Sequence, residues 1–173
     1  MRKDIKTSSD IQKESLESSI YKLLKKYQLT MTTAESCTGG LIAATLINVP
    51  GISEFLTEGY ITYSNDAKVK MIGVSRDIID TYGVVSAKTA AEMARCAAKK
   101  ADVKAALSAT GVAGPDGGTK DCPVGTVYLG CYLDGTVVTE RHLFLGDRQK
   151  VRESAAEYAL KLLHKTILAK YEE

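Results

Sequence analysis

The chain has 173 residues, of which 45% are hydrophobic and 25% charged, the composition of a soluble globular domain with its own core. A net charge of only +2, from 23 basic and 21 acidic side chains, disfavours a nucleic-acid-binding protein, which usually needs a clustered basic face. No apolar stretch reaches the roughly 20 residues of a membrane-spanning helix, and the polar N-terminus has no apolar segment typical of a secretory signal. We therefore expect a cytoplasmic protein without a membrane or nucleic-acid partner.

Metal and disulfide chemistry are also disfavoured. The four cysteines are scattered with no Cys-x-x-Cys pair, and the two histidines are far apart in the sequence. This pattern favours reduced thiols and gives no ligand spacing for a metal centre. We expect neither a metal nor a cofactor.

The first half of the chain alternates between helical and strand patterns. We predict a polar N-terminal extension with the start of a first helix over residues 1–14, where Ser9 and Gln12 fit a capping box, and a single domain over 15–169. Apolar residues at helical spacing predict that this helix continues to Tyr27. The following patterns predict, in chain order, a strand over 29–34, a helix over 41–48, one or two strands over 55–63, and short helices over 65–72 and 77–82.

The second half begins with an Ala-rich helix over 86–101 and an apolar strand over 104–110. The segments 124–133 and 136–145 flank Asp134-Gly135, which is a strong hairpin signal. Asp147 is predicted to cap a long last helix. Alternating helices and strands with a late hairpin indicate an α/β fold: a three-layer α/β/α single domain with a mixed, mostly parallel sheet.

The segment 33–40 reads Thr-Ala-Glu-Ser-Cys-Thr-Gly-Gly and connects a predicted strand to a predicted helix. It places the hydroxyl of Ser36 and the thiol of Cys37 on a tight turn, beside the free N–H groups of a helix N-terminus. A nucleophile beside such donors is what acyl transfer needs. The alternative is an ordinary strand–helix turn whose Ser and Thr cap the helix.

A second glycine-rich loop, 111–118, follows another predicted strand. If the two strands are parallel and close, both loops face one crevice at the carboxyl ends of the strands. The loop has the order of neither a P-loop nor a Rossmann fingerprint, but its amides suit a phosphate or carboxylate. The alternative is a flexible surface loop.

A nucleophilic serine also needs a base. Neither histidine adjoins a glycine-rich turn, so Lys68 is the candidate, provided that burial or a nearby cation such as Arg148 lowers its pKa. Taken alone, Lys68 equally fits an exposed helix lysine. Arg148 and Arg152 share a helix face that suits an anionic ligand, or pairs with neighbouring carboxylates. Tyr63 either holds a substrate group or lies at the rim of the core.

Taken together, these segments resemble the CinA C-terminal domain family, whose stand-alone members include nicotinamide-nucleotide amidases. The resemblance extends from about residue 15 to about residue 167. It is carried by the segments Thr33-Ala-Glu-Ser-Cys-Thr-Gly-Gly40, Tyr63-Ser-Asn-Asp-Ala-Lys68, Gly73-Val74, Gly83-Val-Val-Ser86, Thr110-Gly-Val-Ala-Gly-Pro-Asp-Gly-Gly118, Pro123-Val-Gly-Thr126 and Gly146-Asp-Arg148.

The resemblance implies a homo-oligomeric, metal-free amidohydrolase that converts nicotinamide mononucleotide to nicotinic acid mononucleotide and ammonia. It implies that Ser36 is the nucleophile and Lys68 its base, with Tyr63 and Thr110 also in the active site. The substrate-binding residues that it implies are Thr38, Gly39 and Gly40 as oxyanion donors, Asn65, and Gly114, Gly117, Gly118 and Arg148 around the phosphate.

Several alternatives stay open at this point. Asp116 stands where many relatives have glycine, which places a carboxylate beside the expected phosphate, and Cys37 offers a thiol as a second nucleophile. A catalytically silent nucleotide- or partner-binding module is the main rival function. A DNA-binding protein is a weaker rival, because the net charge is close to zero.

Overall fold

The structure, a computed structural model, describes residues 14–172. The predicted capping box at Ser9 and Gln12 lies outside the described residues. In chain order the elements are α1 (Leu16–Tyr27), β1 (Met31–Glu35), α2 (Leu41–Ile47), β2 (Leu56–Ile61), α3 (Asn65–Ile72), α4 (Arg76–Tyr82), α5 (Ala87–Ala101), β3 (Ala105–Gly111), β4 (Thr126–Leu133), β5 (Thr136–Leu143) and α6 (Arg148–Tyr171).

The five strands form one sheet in the order β2-β1-β3-β4-β5. The strand pairs β1–β2 and β1–β3 are parallel, whereas β3–β4 and β4–β5 are antiparallel. Four strands therefore run in one direction and only β4 opposes them. This confirms the predicted mixed, mostly parallel sheet with a late hairpin, whose turn residues Asp134 and Gly135 both have positive φ.

Helices cover both faces of the sheet, which gives the predicted three layers. Successive strand residues point to opposite faces, so Leu107 of β3 joins the core beneath α1, α2 and α6, while Ala106 joins the core beneath α3, α4 and α5. Within residues 14–172, no helix combines the length and the apolar character needed to cross a bilayer.

Local capping signals set several helix boundaries. Ser64 accepts a hydrogen bond from the Ala67 amide at the start of α3, and Gly73 ends that helix in the left-handed conformation. Asp147 accepts from the Lys150 amide, as the sequence predicts, and begins α6. These two caps fix the positions of the helices that carry Lys68 and Arg148.

Candidate active site

Ser36 and Lys68 lie together at the carboxyl ends of neighbouring parallel strands. Ser36 follows β1, where its amide donates to the Ala109 carbonyl of β3 at 2.9 Å. Lys68 lies in α3, directly after β2, and its Nζ is 3.1 Å from Ser36 Oγ. The same amine donates to the Thr62 carbonyl at 2.8 Å. The sheet topology thus places a hydroxyl and an amine at hydrogen-bonding distance.

The Lys68 side chain is completely buried, which disfavours the exposed helix lysine considered above. Burial disfavours the charged form of an amine, and it lowers the pKa of Lys68 from 10.5 to about 8. The expected contribution from Arg148 is absent, because that guanidinium contacts Gly114 and Tyr63 instead. At a pKa of about 8, about one tenth of the Lys68 amine is neutral at pH 7.

The neighbouring thiol has the opposite tendency. Cys37 is buried, and desolvation raises its pKa to about 11. A thiol of that pKa stays protonated at neutral pH and is a weak nucleophile. Lys68 contacts the Ser36 hydroxyl and forms no hydrogen bond with the Cys37 thiol, so the geometry of the turn favours Ser36 as the nucleophile.

A cavity of about 360 Å³ opens beside Ser36 and Lys68. Both glycine-rich loops border it, as expected for loops that follow parallel neighbours. The predicted site residues that line it are Ser36, Tyr63, Asn65, Lys68, Thr110, Gly114, Gly117 and Arg148. Asp116 also lines the cavity and is exposed, so its carboxylate faces the same space as the Arg148 guanidinium.

Four of the predicted substrate-binding residues do not line the cavity: Thr38, Gly39, Gly40 and Gly118. The amide of Gly39 donates to the Ser36 carbonyl at 3.1 Å, and that of Gly40 donates to Glu35 Oε2 at 2.9 Å. Both donors therefore already have acceptors inside the turn, and the predicted oxyanion role of these two glycines gains no support from this geometry. Their positive φ values, 60° and 99°, instead allow the sharp turn into α2.

Gly118, which the resemblance assigns to phosphate binding, approaches another segment of the chain closely. A Cβ atom at this position would lie 2.8 Å from the Val124 amide nitrogen. Gly118 therefore packs against the segment that leads into β4, and its lack of a side chain serves that close approach.

Glu35 is a buried residue of the site that the sequence interpretation missed. Its carboxylate, fully inaccessible to solvent, accepts hydrogen bonds from the amides of Gly40, Ile42 and Ala43 at 2.9–3.0 Å. These are the free N–H groups of the first turn of α2, which otherwise has no side-chain cap. The sequence did contain a signal for this role. Glu35 directly follows a predicted strand and precedes a helix whose N-cap residue, Gly40, has no side chain to bind the free amides.

Two arginines of α6 contact the loops of the site. Arg148 donates to the Gly114 carbonyl at 2.8 Å and to the Tyr63 hydroxyl at 3.0 Å, at the mouth of the cavity. Arg152 donates to the carbonyls of Cys37 and Thr38 at 3.1 and 2.9 Å. The two side chains share a helix face, as predicted, but they bind backbone carbonyls rather than neighbouring carboxylates.

Thr110 fixes a further wall of the cavity. Its hydroxyl donates to the Val84 carbonyl at 2.8 Å, which holds the segment after α4 against the end of β3. Val84 and Val85 line the cavity as apolar residues that the sequence interpretation had not singled out for binding. Among residues 14–172, no three His, Cys, Asp or Glu side chains come together as a set of metal ligands.

The fold and this serine–lysine arrangement define an α/β domain with a polar site at the carboxyl ends of its parallel strands. Residues 13–167 match the family model described as the CinA C-terminal domain, and the chain belongs to that family.

Curated relatives support the same assignment. The CinA-like protein of Kosmotoga olearia is 48% identical over 155 residues, and a putative competence-damage inducible protein of Clostridium novyi is 49% identical over 156 residues. Each match covers 90% of this chain but only 38% of the relative, so the chain corresponds to a minor part of those longer proteins.

Solved structures match over nearly their whole length. The competence damage-inducible protein A of Klebsiella pneumoniae is 33% identical with a TM-score of 0.86, covering 90% of this chain and 96% of that one. A CinA superfamily protein of Escherichia coli is 36% identical with a TM-score of 0.84, covering 94% and 95%. The three-layer fold is therefore that of the CinA superfamily structures.

Proposed function

We propose that the protein is an amidohydrolase that converts nicotinamide mononucleotide to nicotinic acid mononucleotide and ammonia. The observation that carries the proposal is the 3.1 Å contact between Ser36 Oγ and the buried amine of Lys68. A serine is a poor nucleophile unless a base accepts its proton, and an amine whose pKa is lowered to about 8 can do so near neutral pH. The choice of substrate is supported by the motifs shared with nicotinamide-nucleotide amidases.

The reaction proceeds through an acyl-enzyme. Neutral Lys68 accepts the Ser36 proton while Oγ attacks the carboxamide carbon, and a tetrahedral intermediate forms. Lys68 then returns the proton to the departing amine, so that the C–N bond breaks and ammonia leaves. A water molecule, deprotonated by Lys68, attacks the resulting ester, and the carboxylic acid is released with Ser36 regenerated. This is the division of roles of a serine nucleophile with a general base.

The phosphate of the nucleotide is assigned to the other end of the cavity. Arg148 supplies a guanidinium at the cavity mouth, and the loop of Gly114 and Gly117 supplies backbone amides. The exposed carboxylate of Asp116 would repel a phosphate close to it, so we place the phosphate on the Arg148 side. Tyr63, bound to Arg148, stands 61% exposed beside this position.

The decisive experiment is an assay of ammonia release from nicotinamide mononucleotide, nicotinamide riboside, nicotinamide and NAD, all in the presence of EDTA. We expect release from the mononucleotide, and its absence in Ser36→Ala. Activity that disappears with EDTA and returns with one divalent ion would replace the serine mechanism by metal-activated water. Tight binding of the mononucleotide without ammonia release would instead identify the silent binding module, and a salt-dependent shift of DNA would support the DNA-binding alternative.

A further inference from the structure

The Cys37 and Thr38 carbonyls are bound by one side chain from the opposite end of the chain. Arg152, in the second turn of α6, donates from Nε to the Cys37 carbonyl at 3.1 Å and from a terminal nitrogen to the Thr38 carbonyl at 2.9 Å. Within residues 14–172, this half-buried guanidinium forms no ion pair with a carboxylate. Its hydrogen bonds go to two successive peptide groups directly after Ser36.

Those bonds determine where the amides of the turn point. In a trans peptide the C=O and N–H bonds are antiparallel, so holding the Cys37 carbonyl fixes the direction of the Thr38 N–H. Holding the Thr38 carbonyl fixes the Gly39 N–H in the same way. That N–H donates to the Ser36 carbonyl, and the peptide of this carbonyl carries the Cys37 N–H. Neither the Cys37 amide nor the Thr38 amide donates to a backbone or side-chain oxygen of the described residues.

Of these two residues, Cys37 lines the cavity beside Ser36 and Thr38 does not. Both amides lie close enough to the Cys37 thiol to lower its pKa, in opposition to the larger effect of burial. By contrast, the amides of Ser36, Gly39 and Gly40 all donate to oxygens of the protein.

We propose, on the basis of the serine amidase function proposed above, that Arg152 is a positioning residue that holds the turn after Ser36 so that the Cys37 amide, at the cavity, serves as an oxyanion donor. A developing oxyanion needs donors that are fixed before the reaction, because reorganising them costs free energy at that moment. A planar guanidinium suits this role, since its rigid fork holds two carbonyls at once. Glu35 fixes the other end of the same turn through the amide of Gly40.

The test uses Arg152→Met and Arg152→Lys, with Lys161→Met as the matched control, because Lys161 is a half-exposed cation on the same helix. For each variant we would measure kcat and KM with nicotinamide mononucleotide and the thermal midpoint of unfolding. A second readout is the rate of Ser36 acetylation by p-nitrophenyl acetate, followed by intact mass, with Ser36→Ala as the background. Acetylation passes through the same kind of oxyanion but does not depend on nucleotide binding.

We expect Arg152→Met to lower kcat roughly tenfold to a hundredfold, somewhat less than the loss of a whole oxyanion donor. KM should change by no more than about threefold, because the ground-state contacts are retained. Acetylation should slow by a similar factor to kcat. Arg152→Lys should be intermediate, since an ammonium is a single point charge rather than a fork. Lys161→Met should match the wild type.

The proposal is overturned if Arg152→Met keeps kcat within about twofold of wild type, or if only KM rises, which would make Arg152 a binding residue. If Arg152→Met fails to fold, the test uses Arg152→Lys alone. A kcat and an acetylation rate equal to those of the wild type in Arg152→Lys would show that Arg152 has only a structural role. A wild-type protein that releases no ammonia from any nucleotide would refute the proposed function separately. The acetylation rates would then still decide the role of Arg152.

Discussion

Replacing Lys68 by methionine is expected to stabilise the folded protein at neutral pH while abolishing its activity. The folded state lowers the pKa of this amine from 10.5 to about 8. That difference corresponds to about 3 kcal/mol by which folding disfavours the protonated amine. Methionine has a similar length and no charge, so it fills the same buried space without that penalty.

The sign of the effect depends on pH. Between about pH 8 and 10.5 the unfolded chain binds the Lys68 proton more tightly than the folded protein does, so wild-type stability rises with pH across this window. Below the folded pKa the whole penalty is present. Methionine also loses the hydrogen bonds to Ser36 and Thr62, at about 1 kcal/mol each. We therefore expect Lys68→Met to be more stable by about 1 kcal/mol at pH 7, and less stable than wild type near pH 10.

Urea denaturation at about pH 7 and about pH 10, followed by circular dichroism, measures this difference for a domain that unfolds in two states. The stability difference between Lys68→Met and wild type should change by about 2 to 3 kcal/mol between the two conditions. Lys70→Met, which removes an exposed lysine from the same helix, serves as the control and should show no such change. A constant difference between Lys68→Met and wild type would refute desolvation of the amine, and with it the argument that Lys68 is the base.

Three further predictions concern activity. With the wild-type protein, kcat/KM should rise with pH, with a midpoint near pH 8. Lys68→Arg should be inactive at every pH because arginine stays protonated. Near-normal turnover in Lys68→Arg would instead show that Lys68 acts only through its positive charge. Ser36→Ala should lower turnover by several orders of magnitude and Cys37→Ala should retain most of it, and the reverse result would identify the thiol as the nucleophile. Arg148→Met should raise KM for nicotinamide mononucleotide about tenfold or more with a smaller effect on kcat, whereas an unchanged KM would rule out its role as a phosphate anchor.

Local signals were sufficient to predict most of the fold. The helix α3 was predicted at its observed bounds, Asn65–Ile72, and the structure adds that Ser64 caps its start and Gly73 ends it. The hairpin was predicted from two turn residues. Strand ends were less well defined: the strand pattern over 55–63 is longer than the observed β2, Leu56–Ile61, because aromatic and Thr residues favour strands beyond the end of pairing.

The candidate site was predictable only in part. The pairing of Ser36 with Lys68 was implied by the family resemblance, and the rule that loops at the carboxyl ends of parallel strands converge predicted that both glycine-rich loops border one crevice. The sequence did not predict which acceptor each backbone amide of the turn would bind. The Gly39 and Gly40 amides donate to oxygens that only the folded turn brings close to them. The sequence also left open whether burial or a nearby cation lowers the Lys68 pKa, because burial is a tertiary property. The domain limits, oligomeric state and cytoplasmic location stay predictions.

The contact between Arg152 and the turn after Ser36 spans 114 or 115 residues of sequence. During synthesis, Ser36 and Lys68 leave the ribosome long before α6 does, and the carbonyls of Cys37 and Thr38 have no guanidinium until that helix packs. A nascent chain that ends before α6 therefore carries Ser36 and Lys68 but lacks the contacts from Arg148 and Arg152 that hold the loops of the site. If the proposed reaction holds, we expect such a chain to lose activity although it retains both residues of the proposed serine–lysine pair.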